Sequence, residues 1–128
     1  MRVRLVLTSL LAAGAVLAGT ATRAAGPAGD AKVGEALFKA RCFMCHSGAP
    51  GKPSALAPDL HGVGGRKAAS TGFAYSEALK KSGLTWTKAN LDTFLTAPQK
   101  LVPGTRMVIA VANPKERADV VAYISQLK

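Results

Sequence analysis

Apolar side chains recur at helical spacing in two well-separated parts of the chain, one shortly after residue 30 and one at the C-terminus. In the first part, Val33, Leu37 and Phe38 share one helix face, and Asp30 stands where an N-cap is expected. Gly34 lies inside this helix, where a glycine costs about 1 kcal/mol of helix stability relative to alanine. The glycine therefore indicates close approach by another element.

The partner of the first helix is predicted to be the last helix of the chain. Asn113 can cap it, Pro114 fits its first turn, and Glu116 falls at the capping-box position. The apolar side of this helix is formed by Val120, Val121, Ile124 and Leu127. We expect the two terminal helices to pack across each other.

Two shorter helices are predicted between them, a weak one over residues 76–82 and a clearer one over residues 87–97. The clearer helix has Leu91, Phe94 and Leu95 on its apolar face, and Pro98 ends it. Residues 47–75, by contrast, are rich in Gly, Pro, Ala and Ser and show almost no periodicity, which is unusual in a compact domain. The pattern predicts an all-α domain of about four short helices and long loops, with no internal repeat.

The first 25 residues have the pattern of an export signal. Arg2 and Arg4 precede an apolar run over residues 5–18, and small residues that suit cleavage follow between 18 and 26. The run is about 14 residues long, short of the ~20 that span a bilayer as a helix, and an uncleaved anchor is the alternative. We predict a signal peptide over residues 1–25 and a single domain over residues 26–128.

The domain that remains is small and basic. The chain has 17 Lys and Arg against 7 Asp and Glu; without Arg2, Arg4 and Arg23, 14 basic residues against 7 acidic ones leave a formal charge of +7. Such a charge indicates attraction to acidic partners or surfaces. The lysines are scattered and are not interleaved with aromatic residues, so nucleic acid is not expected as a partner.

The motif Cys42-Phe43-Met44-Cys45-His46 carries the clearest chemistry of the chain. Its C-x-x-C-H spacing is typical of a c-type haem attachment site. Two intervening residues let both sulfurs reach the vinyl-derived edges of a porphyrin, and the histidine can then turn its ring to the iron. The loop over residues 47–75 could wrap round such a disc, with Leu56 or Leu60 against its face. We predict one covalently attached haem c per chain.

Three other interpretations of the two thiols are a redox dithiol, half of a zinc site and a plain disulfide. Zinc usually takes four protein ligands, but Cys42 and Cys45 are the only cysteines, and His46 and His61 the only histidines. A thioredoxin-like dithiol belongs at a helix start in a βαβ unit, and the chain lacks the Val/Ile-rich strand pattern of such a unit. The corresponding alternative function is a haem-free exported dithiol protein.

The candidates for the iron ligand opposite His46 can be reduced by elimination. Beyond the signal segment the methionines are Met44 and Met107, and Met44 lies inside the attachment loop beside His46. Met107 lies in a turn-rich loop and is the remaining thioether, although ordinary core packing is its alternative role. His61 is the competing ligand and would give a bis-histidine iron.

The chain resembles the class I cytochromes c, specifically the mitochondrial-like group with its bacterial periplasmic relatives. The resemblance covers nearly the whole of residues 26–128 in order. Its blocks are GEALF at 34–38, CFMCH at 42–46, PDLHG at 58–62, GRK at 65–67, GFAYS at 72–76, LTW at 84–86, PGTRM at 103–107 and ADVVAY at 118–123. It implies the small cytochrome c fold around one haem, with Gly34 and Tyr123 at the crossing of the first and last helices.

By this resemblance, His46 is the proximal iron ligand and Met107 the distal one, and Cys42 and Cys45 carry the thioether links. The carbonyl of Pro58 would accept a hydrogen bond from the second nitrogen of His46. The other implied contacts are Arg66, Tyr75 and Trp86 near the propionates, and Leu60, Phe94 and Thr105 in the haem pocket.

The chain departs from the family pattern on the distal side and on the surface. Phe94 stands where a tyrosine is frequent and Leu79 where an asparagine is common, so the distal polar network is expected to be reduced. Gln99 is not basic at a position where the family often has a lysine. The matching basic positions of the expected docking face are Arg41, Lys100 and Arg106.

The function that the resemblance implies is that of a soluble, monomeric, monohaem electron carrier in the periplasm, not an enzyme. Its implied partners are a membrane quinol-oxidising cytochrome complex and a terminal oxidase or photosynthetic reaction centre of a respiratory or photosynthetic chain, or a periplasmic oxidoreductase. The alternative is a peroxidase-like haem enzyme or gas sensor in which the sixth ligand is labile.

Overall fold

The structure, a computed structural model, describes residues 26–46 and 50–128. Its five helices in this part are α1 Ala31–Arg41, α2 Glu77–Lys81, α3 Lys88–Thr96, α4 Pro98–Leu101 and α5 Pro114–Ile124. Long loops connect them, and the described residues form no strand beyond an isolated antiparallel bridge between Lys67 and Thr85. The predicted all-α fold is confirmed. The predicted signal peptide lies outside the described residues.

Four of the helices begin at short polar side chains, the residue types that compete best for free backbone amides. The caps are Asp30 of α1, Ser76 of α2, Thr87 of α3 and Asn113 of α5. In each case the side-chain oxygen accepts a hydrogen bond from an amide two or three residues further on. These local hydrogen bonds determine where the four helices begin.

The crossing of α1 and α5 depends on the absence of a side chain at Gly34. A Cβ atom built at this position would lie 1.9 Å from the backbone oxygen of Asp119 and 3.0 Å from the Cβ of Tyr123. Beside the crossing, the rings of Phe38 and Tyr123 pack with their centroids 5.4 Å apart. The predicted close packing of the terminal helices is confirmed, and Gly34 is the residue that permits it.

The sequence pattern missed α4. Pro98 was expected only to end the preceding helix, and α3 does end at Thr96. Proline also suits the first turn of a helix because its missing N–H has no intrahelical partner there. Pro98 therefore begins a further helical turn, which ends at Leu101.

The core lies between these helices and the long loop. It consists of Phe38, Val63, Trp86, Leu91, Phe94, Leu95, Val102, Val111, Val120, Val121 and Ile124, with Leu37, Leu60, Leu79 and Met107 among the partly buried residues packed against it. In the described ranges of the chain, no helix is both long enough and apolar enough to cross a membrane.

Candidate haem-binding site

The C-terminal end of α1 shapes the cysteine motif into a turn. The amides of Cys42 and Phe43 both donate to the Phe38 carbonyl, at 2.8 and 2.9 Å, and the amides of Cys45 and His46 donate to the Cys42 carbonyl at 3.0 and 2.8 Å. Both cysteines are free thiols of intermediate exposure. Burial raises the pKa of the Cys42 thiol, although the charge of Arg41 opposes the shift. The turn presents both sulfurs and the imidazole to the same cavity.

The ring of His46 is oriented by a backbone carbonyl. Its Nδ1 lies 2.8 Å from the carbonyl oxygen of Pro58, as the sequence predicts. Because a carbonyl only accepts hydrogen bonds, Nδ1 must carry the proton, and the lone pair of Nε2 is left for a metal. Burial lowers the pKa of His46, partly offset by this hydrogen bond. The neutral form that binds a metal is thus the favoured one at neutral pH.

The loop that carries Pro58 is fastened by polar side chains to which the sequence assigns no role. Ser54 Oγ donates to the Cys45 carbonyl and accepts from the amides of Leu56 and Ala57 at 3.1 and 3.0 Å. It therefore connects the attachment turn to the segment just before Pro58.

Asp59 and Arg66 hold the other side of Pro58. The Asp59 carboxylate accepts from the amides of Gly51 at 3.0 Å and His61 at 2.8 Å. Burial would raise the pKa of Asp59, but the hydrogen bonds from His61 and Gly51 outweigh it and lower that pKa. The Arg66 guanidinium donates to the carbonyls of His61 at 2.5 Å and Asp59 at 3.1 Å. These contacts fix the Pro58 carbonyl that orients His46.

A cavity of about 590 Å³ lies between α1, α3, α5 and the loops. All the predicted site residues line it: Cys42, Cys45, His46, Pro58, Leu60, Arg66, Tyr75, Trp86, Phe94, Thr105 and Met107. The sequence did not assign further lining residues to the site, among them Phe38, Val63, Leu91, Leu95, Val120 and Ile124. Their helical periodicity marked several of them as core, and that signal does not distinguish a core from a cofactor wall.

The chemistry of the cavity fits a flat apolar group with acidic substituents. Most of its wall is aliphatic or aromatic, and the charged side chains that line it within the described residues are Arg41, Arg66 and Arg106, with no carboxylate among them. At the polar edge, the Tyr75 hydroxyl lies 2.5 Å from the Thr71 hydroxyl. Such a cavity can bury an apolar ring and stabilise negatively charged groups on it.

His61, the competing sixth ligand, does not line this cavity. Its Nδ1 lies 2.9 Å from Oδ1 of Asp59, and its side chain is 16% exposed. Met107 does line the cavity, whereas the side chain of Met44 is 83% exposed. Of these three side chains, Met107 is the one that lines the cavity with His46. In the described parts of the chain, no group of three or more His, Cys, Asp or Glu side chains could hold a metal ion.

Comparison with known proteins decides the family. The family model described as cytochrome c matches residues 31–128. This chain belongs to the cytochrome c family. It is 46% identical over 103 residues to cytochrome c2 of Rhodoblastus acidophilus, a match that covers 79% of this chain and 95% of the relative. Cytochrome c of Guizotia abyssinica is 41% identical over 106 residues, covering 81% of this chain and 96% of the relative.

A solved structure agrees with this assignment. The structure of cytochrome cH from Methylobacterium extorquens matches with a TM-score of 0.70 and 46% sequence identity, over 75% of this chain and 97% of the other. Cytochromes c bind haem c covalently, and Cys42 and Cys45 of this chain fit the attachment motif of the family. The chain is a monohaem electron-transfer protein and not an enzyme.

The cavity wall of this cytochrome c is apolar at two positions where the family frequently has polar residues, as the sequence predicts. The Phe94 side chain is buried against Trp86, with ring centroids 5.0 Å apart at 62°. Leu79 also lines the cavity. Thr105 is 5% exposed and supplies a hydroxyl in this region. Phe94 and Leu79 therefore offer no hydrogen bond to a group bound in the cavity.

Proposed function

We propose that this protein is a periplasmic electron carrier whose haem iron is held by His46 and Met107. The observation that carries the proposal is that both residues line one apolar cavity together with Cys42 and Cys45, whereas His61 is held by Asp59 away from it. When bound, haem supplies a one-electron ferric/ferrous couple.

The protein residues would tune that couple. His46, held by the Pro58 carbonyl at 2.8 Å, presents Nε2 in a fixed orientation and is made more basic by the hydrogen bond. The soft thioether of Met107 favours ferrous over ferric iron and so raises the reduction potential. With haem bound, the apolar walls would limit the access of water and other molecules to the iron, as expected for an electron carrier.

Arg66, Tyr75 and Trp86 would lie near the propionates. A buried carboxylate is costly unless it is paired or hydrogen-bonded, and these three side chains offer a guanidinium, a hydroxyl and an indole N–H at the cavity wall. The two carbonyl contacts of Arg66 keep its guanidinium in place beside the cavity.

We further propose residues 1–25 as a signal peptide and residues 26–128 as a single domain that works as a monomer. The charge pattern of residues 1–25 and the cysteine motif support export to the periplasm. The partners would be a membrane quinol-oxidising cytochrome complex as donor and a terminal oxidase or photosynthetic reaction centre as acceptor. Arg41, Lys100 and Arg106 would contribute to the docking face.

The ligation is tested by the weak long-wavelength absorption band that arises from sulfur-to-iron charge transfer in the oxidised protein. We expect this band at neutral pH in the parent protein and its loss in Met107→Ala. Met44→Ala is the matched control, because its side chain is 83% exposed, and it should keep the band. A covalent haem without the band, together with rapid binding of carbon monoxide to the reduced protein, would contradict His46/Met107 ligation.

A further inference from the structure

The segment that follows Met107 reaches α5 without regular structure. Residues 108–113 contain no helical turn, and Val108 and Ile109 line the cavity. Val111, further along the segment, is 5% exposed. The fastening of the far end of this segment therefore contributes to the position of Met107.

The guanidinium of Arg117 contacts two backbone carbonyls at that far end. Nη1 of Arg117 donates to the carbonyls of Val111 at 2.9 Å and Ala112 at 3.2 Å, while its Nε donates to Oδ1 of Asp92 at 2.7 Å. The Val111 amide in turn donates to the Leu95 carbonyl at 2.8 Å. We call the contacts of Arg117 with Asp92, Val111 and Ala112 the Arg117 clamp.

The clamp connects three elements that must stay in register around the cavity. Arg117 belongs to α5, Asp92 belongs to α3, and the two carbonyls belong to the segment after Met107. The helix α3 also carries Leu91, Phe94 and Leu95, which line the cavity. The clamp thus fastens the loop that bears the distal methionine to the helix that forms the cavity wall.

The chemistry of arginine suits this task. Its planar guanidinium presents several N–H donors in a fixed fork, so one side chain can bind a carboxylate and two carbonyls together. The side chain is only 12% exposed, and hydrogen bonds from a charged donor are the stronger ones. A lysine at this position would keep the charge but not the fork.

We propose that Arg117 is a positioning residue for Met107, which keeps the methionine sulfur within reach of the iron without touching the haem itself. The inference rests on the proposed His46/Met107 ligation. It predicts that loss of the clamp opens the distal side locally, while the rest of the fold stays intact.

The test uses the full haem-loaded protein and added imidazole, which can bind ferric iron only after the methionine has left. In Arg117→Ala we expect imidazole to bind on the order of tenfold faster than in the parent, because charged hydrogen bonds that hold the loop are gone. Arg117→Lys should give an intermediate rate. On heating, the sulfur-to-iron band of Arg117→Ala should disappear well before the helical circular dichroism signal.

Val121→Ala is the matched control for general destabilisation. Val121 is on the same helix and 5% exposed, but it does not line the cavity. In this variant the band and the circular dichroism signal should be lost together at a lower temperature, with imidazole binding close to the parent rate.

The outcomes separate the clamp from the ligation on which it rests. A parent protein with the band, and an Arg117→Ala variant whose imidazole rate and band stability follow those of Val121→Ala, would overturn the clamp alone. A parent protein without the band would overturn the ligation and the positioning role together.

Discussion

At the scale of the single residue, Asp119 shows how one buried carboxylate joins the two terminal helices. Its Oδ1 accepts a hydrogen bond from the Asp30 amide, just before α1, at 2.6 Å, and from Lys115 Nζ within α5 at 2.5 Å. The residue is 2% exposed. The hydrogen bonds from Asp30 and Lys115 lower the pKa of Asp119 below its ordinary value of 3.8, although burial opposes the shift.

This lowered pKa predicts an acid-dependent contribution to stability. Because the carboxylate is favoured in the folded protein, its contribution is complete above the ordinary pKa and is lost as the pH falls through the lowered one. Asp119→Asn should therefore lower the free energy of unfolding by a constant amount between pH 5 and pH 7. This whole range lies above the ordinary pKa of an aspartate, which is about 4. Below that range the difference from the parent should shrink. Urea unfolding at a series of pH values measures it.

Glu77→Gln is the matched control for the loss of one negative charge. The Glu77 side chain is 72% exposed and pairs with Lys80 within α2. Exposed ion pairs contribute little to stability. If Asp119→Asn and Glu77→Gln gave the same small difference at every pH, the structural role of the Asp119 carboxylate would be refuted.

The residue scale also shows which part of the candidate site is readable from sequence. Cys42, Cys45 and His46 can be recognised from sequence because their spacing is set by covalent chemistry. The roles of Ser54 and Asp59 cannot be recognised in this way, because these side chains bind backbone amides and carbonyls, which any residue type can supply. Their roles appear only once the loop has a three-dimensional path.

At the scale of the helices, the crossing of α1 and α5 is the tightest contact between elements that the structure describes. Gly34 approaches the backbone of Asp119 so closely that an added Cβ would lie 1.9 Å from its oxygen. A side-chain neighbour could rotate away from such a clash, but a helix backbone can only move as a whole.

We therefore expect Gly34→Ala to separate the two helices and to lower the free energy of unfolding by about 3 kcal/mol, the upper part of the usual range for overpacking. This loss should outweigh the gain of about 1 kcal/mol that alanine brings to a helix interior. Chemical unfolding of the haem-loaded protein measures the difference.

Gly72→Ala is the matched control, because a Cβ atom there meets nothing within 4 Å and its φ is not in the left-handed region. It should be close to neutral. Equal stabilities of the two variants would show that the crossing can adjust, and the role assigned to Gly34 would have to be withdrawn.

The helix starts were more predictable than the loops. Asp30 and Asn113 fix the starts of α1 and α5 through local hydrogen bonds that depend on neighbouring residues only. Helix α4 was missed because Pro98 sends the same local signal for the end of one helix and the start of the next. The path of residues 50–75 depends on contacts with distant parts of the chain, which no local pattern contains.

At the scale of the whole molecule, the hydrophobic core and the wall of the cofactor cavity are largely the same residues. Phe38, Trp86, Leu91, Phe94, Leu95, Val120 and Ile124 belong to both. A chain of this size buries a limited apolar area by itself, so a bound apolar ring would complete the core as well as supply the redox chemistry. Fold and cofactor site are therefore coupled in this family member.

The charge of the whole molecule leads to a prediction about partner binding. Arg41 and Arg106 line the cavity, but Nη1 of Arg41 is 2.7 Å from Oε2 of Glu116, so part of its charge is compensated. The docking face should still attract an acidic partner. We expect the association rate with a negatively charged redox partner to fall about tenfold or more between low and physiological salt, as measured by stopped-flow reduction.

Charge variants can assign this salt dependence to the proposed face. Arg106→Gln and Lys100→Gln should each flatten the plot of association rate against ionic strength. Lys32→Gln is the matched control, because Lys32 lies near the opposite end of α1 from Arg41, about 14 Å away along the helix axis. Removing charge there should change the slope less, since screening by salt weakens interactions over such distances. A slope that responds equally to all three substitutions would mean that net charge alone attracts the partner, whereas a flat dependence in the parent protein would rule out a basic docking face.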